Sequence, residues 1–304
     1  MAASRREFLA GSAAALVGSA LRPSLAWAWP QAPGAFTAIR GDIGIFTGRG
    51  GTIGYLANAT SVVVVDSQYR EYAEQCLVGL RDRSGDRPVD LLINSHHHGD
   101  HVSGNLAFRG VARGVLAHET AAAHMRQPPG RTAQEGDQLF PDRTFTDEWR
   151  EQIGGEWVRA KHYGRAHTSG DAVVTFETAN VAHMGDLVFN RRSPVIDRPA
   201  GASIAHWADV LERTAADHDG DTIFIFGHAG SGQPVTGSAA DLTYFAGYLR
   251  ALLAFVGAER QAGRSRTEIE AIRDPLAGFD DFGPLTASAL GNAYGELDEG
   301  TGAD

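Results

Sequence analysis

Residues 94 to 101 read Asn-Ser-His-His-His-Gly-Asp-His, and this stretch constrains the chain more than any other. Four histidines and an aspartate occupy His96 to His101, directly behind the apolar run from Val89 to Ile93. A short apolar run that opens into a Gly- and His-rich segment predicts a buried strand ending in a loop. Loops at strand ends are where a rigid scaffold displays functional groups. Imidazole nitrogens and carboxylate oxygens are ligands for zinc and related divalent ions. His96 and His98, two apart in an extended loop, are placed to face one ion, and Asp100 and His101 a second. An expression tag would lie at a terminus, whereas this run lies mid-chain behind a strand.

His96-x-His98-x-Asp100-His101 resembles the HxHxDH signature of the metallo-β-lactamase-fold superfamily. The resemblance implies that His96 and His98 bind one metal, that Asp100 and His101 bind the other, and that later loops complete both sites. Three later segments fit that pattern, each behind an expected strand. Gly164-Arg165-Ala166-His167-Thr168-Ser169-Gly170 is similar to the family's G-x-x-H-T-x-G segment, which makes His167 the third histidine of the first metal. Gly185-Asp186-Leu187-Val188-Phe189 resembles the G-D-x-x-F motif, whose aspartate bridges both metals. His228, in Gly227-His228-Ala229-Gly230, matches the last ligand of the second. The implied sets are His96, His98, His167 and Asp186 for one ion, and Asp100, His101, Asp186 and His228 for the other. The remaining histidines are expected in packing, surface or supporting roles. His97 is expected to point away from the metals, and His118 and His183 stand out because they lie at or near the ends of expected strands close to the site.

The strand and helix pattern agrees. Phe36–Phe46, Thr52–Ala57, Val62–Val65, Val89–Ile93 and Gly114–Ala117 read as strands, with helices from Tyr69 to Arg83 and from His118 to Arg126. Residues 127–142 carry Pro128-Pro129-Gly130 without periodicity and read as a long loop between two halves. Trp157–Lys161, Ala172–Phe176, Asn180–Met184 and Thr222–Phe226 are strands of the second half, with helices over Ile204–Ala216 and Ala239–Val256. After Arg266, Asp274-Pro275 and Phe282-Gly283-Pro284 predict helices broken by turns. The order reads as an α/β fold and agrees with what the resemblance implies, the family's four-layer αβ/βα sandwich, as one catalytic domain over 29–304 with a helical extension from about 265.

The first 28 residues are set apart. Ser4-Arg5-Arg6-Glu7-Phe8-Leu9 resembles the twin-arginine export motif, an uncharged Ala- and Gly-rich run follows to Leu21, and Ala26-Trp27-Ala28 has the form of a signal peptidase site. The run is too short to span a bilayer. The expectation is a bacterial periplasmic or secreted protein beginning near Trp29, with no stable membrane anchor after cleavage. Losing three arginines and one glutamate takes the formal charge from −10 to −12. That acidity argues against a grip on nucleic acid phosphates and leaves a small molecule as the expected partner. One cysteine, Cys76, excludes an intramolecular disulfide, and its place in an amphipathic helix predicts a packed thiol.

The chemistry implied is hydrolysis. Two divalent ions, zinc foremost with iron or manganese admissible, share a bridging hydroxide that attacks an ester, lactone, thioester or amide. Asp100 is the expected catalytic residue, binding through one oxygen and moving a proton with the other. A bridging Asp186 resembles the glyoxalase II and lactonase branches, so a β-lactam substrate is not favoured. The tail shows no basic glutathione-binding pattern. Two rivals remain: an iron-dependent oxidoreductase of the persulfide dioxygenase kind on the same scaffold, and a non-enzymatic periplasmic accessory protein with a structural metal.

Overall fold

The computed structural model describes residues 33–127 and 138–301. The expected signal segment over 1–28 lies outside the described residues, as does most of the expected loop over 127–142.

The first half contains β1 (Ala35–Arg40), β2 (Ile43–Thr47), β3 (Ile53–Ala57), β4 (Val62–Val65), α1 (Arg70–Ser84), β5 (Leu91–Asn94), α2 (Gly99–Val102), β6 (Val115–His118), α3 (Glu119–Arg126) and β7 (Arg143–Phe145). Its seven strands form one sheet in sequence order, antiparallel from β1 to β4 and parallel from β4 to β7. The single strand expected over Phe36–Phe46 is instead a hairpin. Arg40 pairs with Ile43, and Gly41 takes the turn at a φ of 57°, a left-handed conformation that glycine adopts without a Cβ penalty.

The second half contains β8 (Glu148–Ile153), β9 (Glu156–Lys161), β10 (Val173–Phe176), β11 (Val181–His183), β12 (Phe189–Asn190), α4 (Ile204–Ala216), β13 (Ile223–Ile225), β14 (His228–Ala229), β15 (Thr236–Gly237), α5 (Ala239–Gln261), α6 (Arg266–Glu270) and α7 (Ala287–Thr301). Six strands form a sheet in the order β15-β13-β11-β10-β9-β8, and β12 pairs separately with β14.

The four valines of β4 show how the layers arise. All four are buried, which a one-sided sheet would not allow. Val63 and Val65 point into the core between the sheets, with Val174, Phe176 and Ile225 of the second sheet. Val62 and Val64 point the other way, into the cluster that holds Tyr72, Cys76 and Leu80 of α1. Each fully buried valine contributes about 1.5–3 kcal/mol relative to exposure. On the far side of the second sheet, Trp207 of α4 and Phe245, Tyr248 and Leu249 of α5 make a third cluster, closed by Leu290 and Ala293 of α7. The stack is therefore helix, sheet, sheet, helix, an α/β sandwich. α5 is long and apolar enough to cross a membrane, but it is the core helix of this layer, packed against α4 and α7. Cys76 is fully buried, as its helix pattern predicts, and burial pushes its thiol pKa up.

Candidate metal centre

Four loops meet at one end of the sandwich. His96 and His98 follow β5, and Asp100 and His101 ride on the single helical turn α2. His167 lies between β9 and β10, Asp186 in the tight turn after β11, and His228 at the start of β14. All seven residues singled out in the sequence come together. The ligand atoms of His96, His98, His167 and Asp186 lie within 4.8 Å of one another, and those of Asp100, His101 and His228 form a second such group.

Asp186 stands between the groups. Its Oδ2 is 3.6 Å from His167 Nε2 and 4.0 Å from His96 Nε2. Its Oδ1 is 3.0 Å from His101 Nε2 and 3.5 Å from His228 Nε2. Asp100 Oδ2 lies 3.0 Å from His228 Nε2. Close backbone approach makes this possible. A Cβ on Gly227 would sit 2.1 Å from Asp186 Oδ1, and one on Gly51 would sit 2.0 Å from the His101 ring.

The outer nitrogens of the rings are already committed, which fixes the tautomers. His101 Nδ1 donates to Asp66 at 2.7 Å, and His167 Nδ1 donates to the Val195 carbonyl at 2.8 Å. His98 Nε2 donates to Asp197 at 2.8 Å. Ser95 Oγ donates to Asp66 and so accepts from His96 Nδ1 at 3.0 Å. Each of these four rings therefore turns its second nitrogen inward, and on His96, His98 and His167 that nitrogen carries an unshared pair. His98 Nδ1 and His167 Nε2 face each other at 2.9 Å, two acceptors with no proton left for the contact. His96 Nε2 is buried without a hydrogen-bond partner, and His101 Nε2 and Asp186 Oδ1 are buried with only each other, 3.0 Å apart. Orphaned buried polar atoms are costly, and inward-facing lone pairs are what a divalent cation needs. The residues present fit a pair of such ions.

Electrostatics agree. Burial, reinforced by the neighbouring rings, holds His96 well below the ordinary imidazole range and pushes His167 down to about 3. Burial opposes ionisation of Asp186, yet His101 and His228 beside it keep its carboxyl well below the usual carboxylate range. Burial would also lower His101, but Asp186 and Asp66 outweigh it and raise its pKa. Asp100, resisted by burial but bonded to His228, is held low as well.

Several supporting residues have no sequence signal of their own. Asp66, at the end of β4 with a φ of 65°, accepts from Ser95 N, Ser95 Oγ and His101. Asp171 pins Thr168 through its backbone N–H and its hydroxyl, locking the His167 loop, and burial raises its pKa to about 6. His97 turns away from both groups, as expected, with its Nε2 3.6 Å from Asp197 and its ring against His124. His183 is fully buried, donates to the Thr52 carbonyl and accepts from Gly185 N, which ties the Asp186 turn to β3. His118 stacks on His162 with ring centroids 4.0 Å apart.

A family model for the Metallo-beta-lactamase superfamily matches residues 46–228. The 2,4-dinitroanisole O-demethylase subunit alpha of Nocardioides sp. (strain JS1661) is 30% identical over 132 residues, which are 43% of this chain and 39% of that protein. The chain thus spans about two fifths of that relative's length. Among solved structures, a metallo-beta-lactamase from Pontibacter korlensis superposes with a TM-score of 0.60 at 20% identity, covering 71% of this chain and 99% of that one. A metallo-beta-lactamase from Hirschia baltica gives 0.58 at 15% identity, over 72% and 98%. At these identities the two structures speak for the fold.

Proposed function

This chain belongs to the metallo-beta-lactamase superfamily, and we propose that it is a hydrolase of esters, lactones, thioesters or amides that works with two divalent ions, zinc foremost. His96, His98, His167 and Asp186 would hold one ion, and Asp100, His101, His228 and Asp186 the other. The observation that carries this reading is Asp186, whose two oxygens face two different sets of histidines. When bound, such a pair supplies water activation near neutral pH and positive charge for a developing oxyanion.

The chain's own residues do the rest. Asp66, Ser95, Asp197 and the Val195 carbonyl orient the rings. Phe189 stacks on His228 and contacts His167 beside Trp207, which gives the centre an apolar wall that excludes bulk water. Asp100, with 28% of its side chain exposed, stands at the open side. One of its oxygens faces His228, and the second would orient the attacking water and pass its proton to the leaving atom.

The test is elemental analysis of protein purified without added metal, with assays on lactone, ester, thioester, amide and β-lactam substrates. Because a relative is named for acting on 2,4-dinitroanisole, that aryl ether joins the panel. About two zinc ions per chain with chelator-sensitive hydrolysis is the expected result. A single iron without hydrolysis would overturn it in favour of the oxidoreductase. We also propose export to the periplasm or medium, which amino-terminal sequencing checks: mature protein should begin near Trp29, and an intact Met1 in a cytosolic fraction would refute it.

A further inference from the structure

The end of the sandwich opposite the metal centre carries a polar cavity of about 370 Å³. It lies at the amino-terminal ends of β5 and β7, beside the turn that joins β8 to β9. Three arginines line it, Arg87, Arg113 and Arg143, against two carboxylates, Asp90 and Glu151. In a chain of net charge −10, this local excess of positive charge runs against the whole.

Arg87 is the unusual member. It is half-buried and makes no hydrogen bond among the described residues; its Nε is buried without a partner. The carboxylate oxygen it approaches, Asp90 Oδ1, is 3.9 Å away, beyond hydrogen-bond reach. Asp90 is already committed. Its Oδ1 accepts from Arg113 at 2.8 Å, and its Oδ2 accepts from the Val62 N–H at 2.9 Å. Two guanidinium groups therefore converge on one oxygen that satisfies only one of them. A guanidinium has five N–H donors and no acceptor, and a buried donor left unpaired is costly.

Arg143 is the third cation. Its pair with Glu151 at 2.7 Å is exposed on both sides, and surface pairs of that kind hold weakly. Glu151 can swing into solvent and leave Arg143 to a ligand. The cavity then presents three guanidinium groups against the one fixed carboxylate of Asp90, an excess of two positive charges. Forks arriving from three separate segments of chain match the several oxygens of a tetrahedral dianion, whereas a planar carboxylate fills one fork. Leu91 and Ile153, both buried, give the cavity an apolar floor. Its volume also exceeds what a bare phosphate fills and falls in the range of small-molecule sites, ~300–1,000 Å³.

We propose that this cavity binds the phosphate dianion of a small organic phosphate, with Arg87 as the main anchor and Arg113 and Arg143 beside it. The site stands at the other end of β5 from His96 and His98, roughly 20 Å along the chain at ~3.3 Å per residue. A ligand held there is not the molecule cleaved, whatever reaction the metal centre performs.

The test is calorimetric titration of zinc-loaded protein with phenylphosphonate, a phosphate-ester analogue with a stable P–C bond, at a pH where it is doubly ionised. Wild type should bind it, Arg87→Gln should weaken it about tenfold or more at unchanged zinc content, and Arg87→Lys should keep part of the affinity. Benzoate and inorganic phosphate should each bind this site at least about tenfold more weakly than phenylphosphonate. No binding by the wild type would overturn the proposal. So would an Arg87→Gln isotherm that overlays the wild type, which would put the phosphonate on the zinc ions. Benzoate binding as tightly would refute a dianion site, and inorganic phosphate binding as tightly would refute an organic ligand.

Discussion

His96 and His167 are fully buried at the closed side of the centre, while Asp100 and His228 keep 28% and 13% of their side chains exposed at the open side. On the closed side every ring has a second partner in the protein: Ser95 for His96, Asp197 for His98, the Val195 carbonyl for His167. On the open side only His101 is tied to a buried carboxylate, Asp66. Bracing separates the sides better than exposure does, since His98 is 20% exposed and His101 fully buried: three braced rings form the first side, and the second leaves Asp100 and His228 toward an incoming substrate. A catalytic metal site needs that division, because a fully closed set of ligands leaves no position for the reactant.

The largest break in this comparison is Asp186→Ala. It removes the one group that faces both sides, so metal content should fall from about two ions to well below one and hydrolysis by roughly a thousandfold. Preserved binding of both ions in that variant would mean that the sides are independent. Asp66→Ala should come next. It strips Ser95 and His101 of three hydrogen bonds in a fully buried spot, and denaturant unfolding of the metal-free protein should show a loss of roughly 3–5 kcal/mol.

Asp197→Asn sharpens the contrast. Among the candidate ligands it loosens His98 alone, and chelator competition should show about 10–100-fold weaker binding of one ion. Equal weakening of both ions would blur the division. Acid gives a further test on metal-free protein. His97 and His167 are pushed down to about 3 by burial and by the neighbouring His98, whereas both titrate near ~6.5 when unfolded. The unfolded chain then takes up protons that the fold refuses, so their stability contribution is present above about 6.5 and is lost as pH falls toward about 3. His96 adds to that loss, and His101, whose pKa is raised, opposes it. The thermal midpoint should fall across that window, and a flat profile would contradict the buried neutral rings. The smallest effect is expected of Asn292→Ala, which frees the Ile196 carbonyl on the closed side at about 1 kcal/mol of unfolding free energy.

The sequence was most legible where local pattern and burial agree. Val62–Val65 and Ile204–Ala216 fall where their composition and periodicity put them. All seven candidate ligands were found because they sit in short motifs behind apolar strands. β7 and β8 escaped because they are exposed edge strands whose charged residues, such as Arg143, Glu148, Arg150 and Glu151, guard the edge and mask the alternation. Asp66, Asp197 and the two α7 residues that hold the Ile196 carbonyl and Arg198, Asn292 and Glu296, escaped for another reason. Each meets the centre across a long stretch of chain, and an isolated aspartate, asparagine or glutamate carries no spacing that announces such a contact.

The most direct test of a centre bridged by Asp186 is a zinc titration of metal-free protein against a competing chelator, with Asp186→Asn alongside. Two equivalents of distinct affinity in the wild type, both weakened in the variant, are the predicted result. A single equivalent, or an Asp186→Asn curve that overlays the wild type, would contradict the bridge.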